Sequence, residues 1–246
     1  MDGPAHHMTV GTRGAMLVIV AVALAGLGLL AVVAPEYLSS QGFPLDDAWI
    51  HAVYARSLAR SGMLAYNPGV PATGATSPLW ACLLVIPQTL GGSVESAVLL
   101  TKLLGFGLHV LAVLVLFMAL TPPFGRAPDA PIELAGSTRT GAFGTRWRPL
   151  VAALLVAFHP DLVSASVSGM EVSLAALLAA GLLLLARRGH PAAYAVASAL
   201  ASLARPELAT LCYLFPLALF ARRDRRRLLV LGAAAALGNA VAFGGN

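Results

Sequence analysis

Two adjacent carboxylates, Asp46 and Asp47, stand at the head of the stretch PLDDAWIHAVYARSLARSGMLAYNPGVPATGATSPLW. Acids beside strongly apolar segments are costly to place, which makes them the first candidates for chemistry. One could take a proton from an incoming hydroxyl while the other hydrogen-bonds it or holds a metal. The same pair also suits a plain role, as a helix N-cap and a negative charge at the positive end of a helix dipole, worth about 0.5–2 kcal/mol for the cap. Further on, Glu171 follows Ser168-Gly169-Met170, and Arg205-Pro206-Glu207 interrupts an apolar region. Lys102 lies near the start of a long apolar run, where it could snorkel to the interface or meet a lipid phosphate. The candidate catalytic residues are therefore Asp46 and Asp47. The candidate substrate-binding set is Glu171, Arg205, Glu207, Lys102, Arg56 and His51. A divalent cation, if one is used, would sit on Asp47 and Glu171.

The elements around these residues read as membrane helices. The 246-residue chain is 58% hydrophobic and 11% charged, with a mean hydropathy of +0.80. Soluble domains carry roughly 25% charged residues, so the composition is that of a membrane protein. The net charge of +5 comes from short basic clusters between apolar runs. That arrangement follows the positive-inside rule and not a nucleic-acid face. Cys82 and Cys212 fall in apolar segments without metal or redox spacing. His6 and His7 read as bystanders and His109 as a packed core histidine. No GxxxxGK[ST], HExxH or GxSxG motif occurs, nor a credible GxGxxG.

Residues 1–13 form a short polar start, and Gly14–Ala34 predicts a first transmembrane helix with the N-terminus in the cytoplasm. A signal peptide would have a shorter apolar core, of ~7–15 residues. The polar loop beyond it carries apolar positions at helical spacing from Asp47 to Ser61, with Gly62 as the stop. This predicts an amphipathic helix along the membrane surface. Pro78–Gly91 is too short to cross and carries Pro87, so it is expected at the interface. Val98–Leu120, Pro149–Val163, Val172–Ala186, Pro191–Ala204, Leu208–Ala221 and Leu228–Phe243 are the further apolar runs. The expected fold is thus all-α, a polytopic bundle of about seven spanning helices. Residues 35–97 would form an extracytoplasmic loop with juxtamembrane helices, and 121–148 a cytoplasmic loop. With Pro78–Gly91 at the interface, the basic clusters share the cytoplasmic side. Asp46, Asp47, Asp161, Glu171 and Glu207 then share the outer one.

The combination of the long motif above with SGMEVSLAALL and LARPEL resembles the GT-C superfamily of membrane glycosyltransferases. It is most similar to the bacterial members of the protein mannosyltransferase and aminoarabinose transferase group, including the arabinofuranosyltransferase type. The resemblance covers roughly residues 14–221. It implies a bacterial plasma-membrane enzyme that moves a sugar from a polyprenyl-phosphate donor to a glycan, lipid or protein acceptor outside the cytoplasm. By the same resemblance Asp46 matches the acid taken as catalytic base, with Asp47 beside it. Glu171 matches a second-loop acid, Lys102 a basic residue facing the lipid phosphate, and Arg205 and Glu207 a signature of the site's architecture. Members of the superfamily run longer, which implies that this chain is a piece, or a subunit whose partner supplies missing helices. A transporter or flippase of lipid-linked sugars is the competing expectation; it predicts acids near the bilayer midplane.

Overall fold

The fold is described from a computed structural model covering residues 10–67, 69–72, 74–121, 142–221 and 224–244. Most of the expected 121–148 loop, residues 1–9 and the pair at 222 and 223 lie outside that set. The described residues are all-α apart from one two-stranded hairpin. Helix α1 is Val10–Val33, and a single 3-10 turn, Pro35–Leu38, follows it. The amphipathic helix is α2, Asp46–Ser61. Strands β1, Ala65–Asn67, and β2, Val70–Pro71, pair antiparallel. Then come α3 (Pro78–Leu90), α4 (Val94–Leu120), α5 (Ala142–Phe158), α6 (Pro160–Ser166) and α7 (Val172–Arg188). The last three are α8 (Pro191–Ala204), α9 (Leu208–Phe220) and α10 (Arg225–Phe243).

Helix boundaries follow local chemistry. Proline occupies the first turn of α3, α6 and α8, where its missing N–H is no loss. Gly62 and Gly189 close α2 and α7 in the left-handed conformation. The Ser93 side chain accepts from the Ser96 N–H at the start of α4, and Asp224 accepts from the Arg227 N–H at the start of α10. The Asp224 cap starts α10 three residues before the apolar run does.

Among the described residues, three helices have the length and apolar character to cross a membrane: α1, α4 and α10. A fourth crossing arises if α5 and α6, bent by 57° at the His159–Pro160 break, act as one span. This is fewer than the expected seven, and polar breaks are the reason. Arg205-Pro206-Glu207 divides the last apolar third into α8 and α9, of 14 and 13 residues. At 1.5 Å per residue each covers only ~20 Å of a ~30 Å core. Helix α7 has 17 residues and ends on Arg187-Arg188, which shortens its apolar part further. Helix α3, at 13 residues, has the short length expected for it.

Three apolar clusters hold the bundle together. Ile19, Ala23, Val113, Phe117, Ala153 and Ala157 join α1, α4 and α5. Leu182, Tyr194, Ala201, Cys212 and Leu231 join α7 to α10. Ala55, Trp80, Leu84, Leu174 and Ala204 bring α2, α3, α7 and α8 to one point. Close backbone approach depends on small residues, as membrane helix packing requires. A Cβ on Gly105 of α4 would lie 2.1 Å from the Ser166 carbonyl oxygen, so only glycine fits there.

Helix α4 packs along α7. At one end of the pair, Arg187 donates to the Ala119 carbonyl at the C-terminus of α4, a favourable place for a cation. The other end holds Lys102, the turn after α1 and the start of α7. Glu171, the N-cap of α7, lies at that end.

Candidate functional site

The site is assembled from three chain segments that enter it at helix ends. The first is α2. Its N-cap is Leu45, in extended conformation and without a side-chain capping bond, so neither aspartate is the cap. Asp46 and Asp47 instead occupy the first turn, both exposed, where their charge still favours the helix dipole. One turn on from Asp47, His51 is 4% exposed.

The second segment is Ser168-Gly169-Met170-Glu171, leading into α7. Gly169 has φ +89°, outside the range most side chains accept. Its carbonyl accepts a 3.0 Å hydrogen bond from Trp80 Nε1, and Trp80 is fully buried. The turn is thereby fastened to α3. Trp80→Phe removes that donor and strands a buried carbonyl, which costs about 1–3 kcal/mol. The expected result is a lower unfolding midpoint in detergent for Trp80→Phe, with the helical circular-dichroism signal retained before the transition.

The third segment is Arg205-Pro206-Glu207. Arg205 is the extended C-cap of α8 and Glu207 the N-cap of α9. Proline cannot donate to a continuing helix, and it disfavours helical backbone in the residue before it. The break therefore turns two charged side chains toward the start of α7.

Glu171 is the centre of the cluster. It is 3% exposed, yet as N-cap of α7 it makes no side-chain capping bond. His51 Nε2 stands 3.1 Å from its Oε2. Arg205 Nε stands 3.4 Å from its Oε1 and 3.7 Å from Glu207 Oε2. Burial pushes the Glu171 carboxyl up, but His51, the local backbone and the Arg205 charge together outweigh it. The net direction is below the usual value of 4.5. A depressed acid contributes stability that is present above the unfolded value and lost as pH falls through the folded one. Acidification below 4.5 should therefore lower the unfolding midpoint. In Glu171→Gln the same pH series should be flatter, as thermal unfolding in detergent would show.

These groups line a cavity of about 440 Å³, whose walls include Asp47, His51, Glu171, Arg205 and Glu207 together with Thr76 from the loop after β2. Among the sequence candidates, the structure thus brings five to one place and leaves three outside. Asp46 is not in the wall, although it adjoins Asp47. Arg56 is exposed on a different side of α2. Lys102 is 3% exposed and donates through Nζ to the carbonyls of Tyr37 and Ser39, at 2.7 and 2.6 Å. It ties the turn after α1 to α4 and does not face the cavity.

Asp47 and Glu171 share the cavity wall, but Glu171 is already matched by His51 and Arg205. Among the described residues no group of three His, Cys, Asp or Glu side chains could hold a metal ion. Asp47 and Glu171 are two carboxylates, so a divalent cation there would draw its remaining ligands from substrate or water.

Sequence reading alone missed the pairing of His51 with Glu171, the fastening of Gly169 by Trp80, and the part played by Gly74–Thr76 in the wall. The odd glycine in SGME was the one local signal for the second of these. No family model, no curated protein and no solved structure matches the chain, so the GT-C resemblance rests on its three motifs.

Proposed function

We propose that the chain belongs to a membrane glycosyltransferase of GT-C type, which moves a sugar from a polyprenyl-phosphate donor to an acceptor hydroxyl at the extracytoplasmic face of a bacterial plasma membrane. The observation that carries this reading is the cavity itself. Acids and an arginine from segments over 150 residues apart meet there at helix ends, and the surrounding helices are apolar.

In this reading Asp47 takes the acceptor proton. The acceptor oxygen attacks the anomeric carbon while the bond from that carbon to the lipid phosphate oxygen breaks, and the electron pair departs with the phosphate. A lipid phosphate leaves readily, so the protein mainly orients the partners and offsets the developing charge. Arg205 is placed for the latter, with its side chain 42% exposed at the cavity.

A transporter of lipid-linked sugars would carry its acids within spans. Here Asp47 lies in a first turn, Glu171 and Glu207 are N-caps, and Arg205 is a C-cap, which favours chemistry at an interface. The test is transfer of radiolabelled sugar from polyprenyl-phosphate donors by membranes containing this chain, against membranes lacking it. Added transfer supports the enzyme. Equal counts across a range of donor sugars and acceptors would sink it and leave the reading of a subunit that works only with a partner.

A further inference from the structure

We infer that Glu171 is a positioning residue and not a substrate ligand: its buried carboxylate clamps Arg205 so that the guanidinium's outer edge forms the binding fork for the donor's lipid phosphate. This rests on the polyprenyl-phosphate reading above and names the residues of its phosphate subsite.

Three cations were candidates for the phosphate, and their surroundings separate them. Lys102 is buried with its ammonium on two carbonyls, and Arg56 points away from the cavity. Arg205 is the permanent cation among the cavity-lining residues. Its nearest approach to both carboxylates is through Nε. Among the described residues its two terminal nitrogens make no hydrogen bond. A guanidinium held by Nε presents those nitrogens as a planar pair, the geometry that meets a phosphate with two parallel bonds.

The two flanking acids are not equivalent. The Glu207 side chain is 74% exposed, so water screens its attraction and its hold on Arg205 is weak. The Glu171 side chain is 4% exposed. A charge so buried is stable only when matched, and the match here comes from His51 on one oxygen and Arg205 on the other. Arg205 is thus fixed from beneath by a carboxylate that is almost entirely buried. Without that hold it regains the rotamers of a long exposed side chain. Binding would then have to order it afresh.

The test is equilibrium binding of decaprenyl phosphate to the full chain in detergent, with inorganic phosphate as competitor. Arg205→Ala should weaken binding on the order of tenfold to a hundredfold. Glu171→Gln should weaken it by about tenfold, and Glu207→Gln by less than Glu171→Gln, because water screens its hold on Arg205. The double variant Glu171→Gln with Arg205→Ala should bind no worse than Arg205→Ala alone, because a positioning residue has nothing left to position. Additive losses, or a Glu171→Gln variant that binds like the unmodified chain, would overturn the inference and leave the polyprenyl reading standing. Should Glu171→Gln not fold, Arg205→Lys decides: a single ammonium cannot pair with Glu171 and fork a phosphate together, so unchanged binding there also overturns it. Failure of the unmodified chain to bind decaprenyl phosphate removes the polyprenyl reading and this inference with it. Equal competition by inorganic phosphate would overturn the lipid as the source of the anion.

Discussion

Sugar transfer by an Asp47→Asn variant is expected to fall by about 10²–10⁴-fold, the usual contribution of a positioned general base. Transfer by Asp46→Asn is expected to remain within severalfold of the unmodified chain. The two residues are adjacent and chemically identical, and both sit exposed in the first turn of α2. On a helix, neighbouring side chains point ~100° apart. Asp47 lies directly one turn before His51, and both line the cavity, whereas Asp46 is not in its wall. Asparagine keeps the shape and the helix-start preference but cannot accept a proton, so both variants should insert and fold alike. The measurement is initial transfer rate from a polyprenyl-phosphate donor, normalised to folded protein. Equal losses in the two variants would remove Asp47 as the base. So would the reverse order, which would restore Asp46 to the role the resemblance gives it.

A single methyl group at position 169 should do nearly as much damage by a different route. Gly169→Ala is expected to destabilise the protein by about 2–5 kcal/mol, from overpacking and left-handed backbone strain together. The backbone there has φ +89°, and an added Cβ would lie 2.6 Å from Phe43 and 2.9 Å from the Ala48 Cβ. Neither neighbour can yield cheaply. Phe43 packs edge-on against Trp49, with ring centroids 5.0 Å apart, and Ala48 is fully buried in the first turn of α2. Relief must therefore come from moving α2 away from the start of α7. That motion separates His51 from Glu171, and transfer should fall along with stability. The control is Gly107→Ala in α4, where an added Cβ meets nothing within 4 Å. Alanine is the better helix former by about 1 kcal/mol, so this variant should be neutral or more stable. Thermal unfolding of the two variants side by side in one detergent decides the matter. An unchanged midpoint for Gly169→Ala would show that the turn can open without cost.

Both predictions concern contacts between residues far apart in the chain, which is where sequence reading stopped. The alternation of apolar runs with basic clusters was enough to predict an all-α chain with helices long and apolar enough to cross a membrane. Nearly every run it marked is a helix, and Pro191–Ala204 has the same bounds in both descriptions. Proline at a first turn, glycine in a left-handed stop and apolar periodicity act within a few residues, so these boundaries are local information. The count of crossings is less local. His159–Pro160, Arg187-Arg188 and Arg205-Pro206-Glu207 each shorten or bend an apolar helix, and a run of apolar letters does not register how far.

The sequence by itself determined that acids and an arginine would lie at helix ends in an apolar chain, because a charge within a span has no water to meet. Only the tertiary structure decided which of them share a cavity. It separated Asp47 from Asp46, placed Lys102 on backbone carbonyls, and joined His51, Glu171 and Arg205 into one cluster. The physical reason is that residue type and spacing fix the direction of a side chain about its own helix. The neighbour it meets depends on how α2, α3, α7 and α8 pack around Trp80, and on a turn at Gly169 that admits no side chain.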